Sequence, residues 1–252
     1  MRIFIVFELL AKLVHWLVPG TVGLSDGEKV YDSGVRMQRQ GRLDEAVKRY
    51  TEALRIDPSL VQAYSNRGSA YLNMGQPEKA ISDLDQAIEL DPKMAVAYSS
   101  RGLAHTNLAN FSQAVKDLNE AVRLNPNFAD AYSSRGFAHR AAGRLTRAIS
   151  DFDQAIRIDK KFSVAYNNRA DVHLEMNNAE LAIPDLNLAI KLDPGFAVAF
   201  ANRAFAHALL KDDNKANRDF EDAVSMGVDR TLLAEKLAEF HERAKKRRPS
   251  KA

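Results

Sequence analysis

The chain has 252 residues, 46% hydrophobic and 27% charged, the composition of a folded globular protein and not of a disordered or fibrous one. It has no cysteine, which excludes disulfide staples and thiolate chemistry. The formal net charge is +3, yet six positive charges (Arg243, Lys245, Lys246, Arg247, Arg248 and Lys251) crowd into the last ten residues, so the body of the chain is slightly acidic and is not a basic nucleic-acid surface.

Residues 1–26 read as an apolar N-terminal helix and a linker. Ile3 to Phe7 is wholly apolar, and Leu9, Leu10, Leu13, Val14, Trp16, Leu17 and Val18 continue it. Glu8, Lys12 and His15, spaced i, i+4, i+7, draw one polar stripe along that helix. A secretory signal has an uninterrupted apolar region, and a bilayer-spanning helix needs about 20 apolar residues. The stripe spoils both, and Thr21-Val22-Gly23 is a poor cleavage site. The segment reads first as a helix packed on the repeats or resting on a membrane surface through residues 1–18, and second as an export signal. The chain is then cytoplasmic or membrane-associated, or exported if its N-terminus is processed. Pro19–Asp26 is the joint.

From Gly27 onward the sequence repeats every 34 residues. Six units span 27–60, 61–94, 95–128, 129–162, 163–196 and 197–230, and "AYSSRG" recurs letter for letter at Ala97–Gly102 and Ala131–Gly136. The fourth position is aromatic in five units: Tyr64, Tyr98, Tyr132, Tyr166 and Phe200. The eighth is small in all six: Gly34, Gly68, Gly102, Gly136, Ala170 and Ala204. Alanine fills the twentieth and twenty-seventh throughout, with a large apolar residue between them, such as Tyr50, Leu84 or Phe152. Positions four, eight and eleven lie on one face of a first helix, and twenty, twenty-four and twenty-seven on one face of a second. Gly41, Gly75 and Gly143 fall at the turn between them, where a left-handed residue ends a helix. Pro58, Pro92, Pro126 and Pro194 close four units, and unit four has Lys160 there. Pro184 inside the fifth second helix predicts a kink.

Position seven is arginine and position twenty-three aspartate in the same five units, giving Arg67 with Asp83, Arg101 with Asp117, Arg135 with Asp151, Arg169 with Asp185, and Arg203 with Asp219. Because they are present and absent together, they are expected to form structural ion pairs joining the two helices of a hairpin. Position eleven is His105, His139, His173 and His207. Stacked helices lie about 8–10 Å apart, whereas zinc ligands stand about 2 Å from the metal, so this ladder reads as packed rings and not as a metal site. Residues 231–246 read as a capping helix, with Leu233, Leu237, Phe240 and Ala244 on one face, and 247–252 as a basic tail.

These residues resemble the tetratricopeptide repeat family. Tyr64–Tyr71 and Pro77–Leu84 are similar to its helix A and helix B signatures, and the resemblance runs from Gly27 to about Arg230. It implies an all-α fold, a right-handed α-solenoid of stacked helix hairpins with a concave groove lined by the first helices. It also implies a scaffold for a protein or peptide partner, with no catalysis, no cofactor and no small-molecule substrate. The family's groove positions fall here on Asn66, Ser69, Asn73, Ser100, Leu103, Asn107, Ser134, Phe137, Asn168, Asn202 and Phe205. Basic groups there are few, with Arg39 and Arg140, so the family's lysine- and arginine-based clamp for carboxylate tails is not matched. An asparagine amide presents both a donor and an acceptor, which suits the backbone of an extended peptide, with Phe137 and Phe205 as apolar pockets. The competing reading is a membrane-attached or self-associating assembly factor that uses its N-terminal helix.

Overall fold

The computed structural model describes residues 24–246, among which there are thirteen α-helices and no strand. The apolar N-terminal segment and the basic tail lie outside the described residues. The fold is all-α, of the solenoid class built from helix hairpins. It divides at Arg144 into two compact units.

The first unit holds α1 (Asp26–Arg39), α2 (Leu43–Ile56), α3 (Val61–Asn73), α4 (Pro77–Leu90), α5 (Ala95–Asn107), α6 (Phe111–Leu124) and α7 (Ala129–Ala141). Helix α1 opens with a capping box: the Ser25 hydroxyl accepts from the Glu28 N–H, and the Glu28 carboxylate accepts from the Ser25 N–H at 2.7 Å. Each hairpin is sealed where a small residue of the first helix meets a large residue of the second. A Cβ added to Gly34 would stand 2.6 Å from the Tyr50 ring, and one added to Gly102 would stand 2.6 Å from Leu118 Cγ. Glycine is therefore required for the two helices to lie this close. Tyr50, Leu84 and Leu118 are each fully buried in the gap, and burying side chains of this size is worth about 2 kcal/mol apiece.

Successive hairpins share apolar surface. Leu84 and Ala87 of α4 belong to one core cluster with Ala97, Leu103 and Ala104 of α5, and Phe128 packs with Ala121 and Ala131. The connections are Asx turns: the Asp57, Asp91 and Asn125 side chains accept from the N–H two residues on, at 2.9, 2.9 and 3.1 Å.

The second unit holds α8 (Leu145–Ile158), α9 (Ser163–Glu175), α10 (Ala179–Leu192), α11 (Ala197–Leu209), α12 (Asp213–Ser225) and α13 (Arg230–Lys246). Ala148 and Phe152 of α8 pack on Val172 of α9. Asp159 makes the same Asx turn, at 2.8 Å to the Lys161 N–H, although no proline follows it. Pro184 does not interrupt α10, which continues from Ala179 to Leu192 with Pro184 on its exposed side. All four residues of the apolar face of α13, Leu233, Leu237, Phe240 and Ala244, are buried.

Candidate functional site: the first-helix face

In the first unit the expected groove positions fall on the first helices α3, α5 and α7. Asn66 is half-buried, and its Nδ2 donates to the Tyr31 hydroxyl at 2.9 Å. Burial pushes the Tyr31 phenol up to about 12, so it stays protonated. Its ring lies 5.8 Å from that of Tyr50, whose hydroxyl donates to Gln38 Oε1 at 2.6 Å. Tyr31 and Gln38 thus belong to this face, although the sequence reading did not mark them. Asn73 is half-buried, and its Oδ1 has no hydrogen-bond partner among the described residues. Asn107 is exposed. Phe137 is half-buried and packs against the cluster that contains Leu103.

Ser69, Ser100 and Ser134 are buried, as is Leu103. Ser69 spends its hydroxyl on its own helix, donating to the Ser65 carbonyl at 3.0 Å. These small residues let successive first helices pack closely. Of the expected groove residues in this unit, Phe137, Asn66 and Asn73 are half-buried and Asn107 is exposed.

The second unit differs. Asn168 is 1% exposed and Asn202 6% exposed, so neither faces open solvent. They are joined instead into a chain of side-chain amides: Asn202 Nδ2 donates to Asn167 Oδ1 at 3.0 Å, and Asn167 Nδ2 to Asn168 Oδ1 at 3.5 Å. Phe205 is also buried, its ring stacked on that of Phe240 of α13 at 4.8 Å and 3°. The Arg243 guanidinium sits 4.3 Å from the Phe240 centroid and donates to the Leu174 carbonyl at 2.6 Å and to Asn177 Oδ1 at 2.7 Å. Helix α13 therefore lies on the first-helix face of its own unit, against α11 and the end of α9.

The arginines of position seven form staples. Arg67 grips Asp83 with two hydrogen bonds of 2.7 Å, and Arg101–Asp117, Arg169–Asp185 and Arg203–Asp219 repeat this fork at 2.6–2.8 Å. Arg135 and Asp151 stand in different units; within its own, Arg135 donates to Asn119 Oδ1 at 2.9 Å. A third nitrogen of each arginine reaches the preceding second helix: Thr51 from Arg67, Asp85 from Arg101, Asp153 from Arg169 and Asn187 from Arg203. The guanidinium also rests 5.2–5.8 Å from the ring at position four. The sequence reading missed the backward arm. Its signal was an oxygen-bearing side chain at position twenty-five of each of the first five units, Thr51, Asp85, Asn119, Asp153 and Asn187. For Arg101 and Arg169 the carboxylate bonds outweigh burial and raise an already high pKa, so both stay charged.

The histidines of position eleven sit beside these staples. His105 Nε2 is 3.9 Å from Asp117, and His207 Nε2 is 3.9 Å from Asp219. Among the described residues, no three His, Asp or Glu side chains gather closely enough to hold a metal ion, and no helix is long and apolar enough to cross a membrane.

Models of tetratricopeptide repeats match residues 39–75, 61–94, 100–161 and 163–196. The chain belongs to the tetratricopeptide repeat family. None of the curated proteins matches it. Among solved structures, MamA is 27% identical, with a TM-score of 0.53 over 64% of this chain and 94% of that one. A tetratricopeptide repeat protein from Parabacteroides merdae is 23% identical, with a TM-score of 0.70 over 88% and 87%. YrrB, described as a tetratricopeptide repeat protein with an unusual peptide-binding site, is 20% identical, with a TM-score of 0.53 over 74% and 96%. The fold and family make this tetratricopeptide repeat chain a protein-interaction scaffold.

Proposed function

We propose that this scaffold is non-catalytic and holds an extended peptide segment on the first-helix face of residues 24–144, with Phe137 as the apolar anchor and the amides of Asn66, Asn73 and Asn107 meeting the peptide backbone. The observation that carries the reading is the stack of Phe240 on Phe205. Phe205 and Phe137 occupy the same repeat position, nine, and in the second unit that position is covered by an aromatic residue from a polypeptide segment, α13, of this same chain. In the first unit Phe137 is half-exposed. Aromatic anchors in such pockets supply most of the binding energy at interfaces, while surrounding amides set register. The peptide-binding site ascribed to YrrB, a protein of like fold, agrees with this use of the scaffold.

The test is a displayed peptide library screened against the full chain. Selected peptides are expected to contain an aromatic residue, and Phe137→Ala should weaken them at least tenfold, with Asn107→Ala costing less. Equal affinity of Phe137→Ala and the parent chain would overturn the reading.

A further inference from the structure

Helix α10 departs from the other second helices on the side that faces away from the stack. Leu181, Leu188 and Leu192 are 56%, 40% and 37% exposed, and Pro184 lies exposed between them. The positions of Leu181, Pro184 and Leu188 are polar or charged in all five other second helices, as in Lys79, Ser82 and Gln86 of α4. Single exposed leucines are ordinary, but four apolar side chains in one line are not. Their spacings of three, four and four residues are those of a seam between two packed helices. Pro184 has no N–H for the Glu180 carbonyl, so the helix gives up a backbone bond on this face to present another apolar group.

The charges beside the seam indicate what covers it. Glu180 and Lys191 are both exposed and lie on the same flank of α10, near opposite ends. When two identical helices pack antiparallel about a two-fold axis, residues of one flank meet the same flank of the partner in reverse order. Glu180 of one copy then stands beside Lys191 of the other, twice over, while the apolar lines face each other. A parallel arrangement would separate them.

We propose that the outer face of α10 is an interface with a second copy of this chain, α10 lying antiparallel on α10. A single helix-on-helix contact is well below the roughly 800 Å² per partner of a stable interface, so the association is weak and concentration-dependent. It uses no residue of the first-helix face and leaves that face free for a peptide.

Sedimentation equilibrium of the full chain from low to high micromolar concentration tests this. The apparent mass should climb toward that of a dimer. Leu188→Glu should weaken association at least tenfold with an unchanged helical circular-dichroism spectrum, and Leu181→Lys should do the same should the first variant unfold. Glu180→Lys and Lys191→Glu should each weaken it severalfold, and the two together should restore it. A mass independent of concentration, association that survives both leucine changes (as it would through residues 1–18), or a double charge exchange no better than the single ones would each overturn the proposal. So would a monomer that captures a different protein through Leu188. Phe137→Ala, which tests the peptide face, should leave self-association unchanged.

Discussion

Arg101 reaches 2.6 Å to Asp85, a residue of the preceding hairpin, while its other two nitrogens hold Asp117 of its own. One guanidinium therefore fixes the two helices of a hairpin to each other and that hairpin to its neighbour. The planar five-donor fork makes this possible, and a lysine ammonium could not reproduce it.

The two arms differ in environment and should differ in worth. The Asp117 side chain is 8% exposed and that of Asp85 51%. Asp117→Ala takes the buried two-bond partner from Arg101, leaving it only the exposed Asp85, and should cost about 2 kcal/mol. Asp85→Ala should cost about 0.5 kcal/mol, because water replaces the lost partner. Urea unfolding of both variants with their Arg101→Ala doubles gives the two coupling energies; equal couplings would contradict the assignment.

The turns give a second expectation. Gly41, Gly75 and Gly143 have φ near +70°, and Ala109, Asn177 and Lys211 hold the same left-handed conformation at 58–61° without being glycine. A left-handed residue with a Cβ costs about 1 kcal/mol, less for asparagine. Ala109→Gly and Lys211→Gly should each raise stability by about 0.5–1 kcal/mol, and Gly75→Ala should lower it by a similar amount, as thermal unfolding would report.

Acid should weaken the second unit through its histidines. Burial lowers the pKa of His173 and of His207 below the ordinary 6.5, against the opposing pull of Asp185 on the first and of Asp219 and Asp212 on the second. Arg169 lowers the first further, as Lys215 and Arg203 lower the second. With the folded value depressed, the unfolded chain takes up the proton first as pH falls. The stability is fully present above about 6.5 and is lost as pH drops from there through the folded value. Urea midpoints should fall between neutral and mildly acidic pH, and His173→Gln with His207→Gln should flatten that slope.

Helix α13 should depend on its aromatic stack. Phe240→Ala removes a buried ring and should cost about 3 kcal/mol. Hydrogen exchange should then rise along residues 230–246 and at the end of α9, where Arg243 is docked, while α1 to α7 keep their protection.

Much of this molecule was readable from the chain alone. The helix-hairpin fold was legible because each 34-residue unit repeats the same packing problem: a small residue at position eight, as at Gly34 and Gly102, and a large one at position twenty-four, as at Tyr50 and Leu118. Local physics suffices there, since the partners lie sixteen residues apart at fixed helical phase.

What the tertiary structure alone decided is which groove residues remain open and which are covered. Asn66 and Asn168 share one repeat position, yet the first is half-exposed and the second is buried in a chain of amides. Phe137 and Phe205 share another, and only the second lies under α13. Periodicity assigns a side chain to a face of its helix. It does not say which of those side chains the following segment covers, because the contact of Phe240 with Phe205 reaches across the intervening helix α12 and depends on the path of the folded chain.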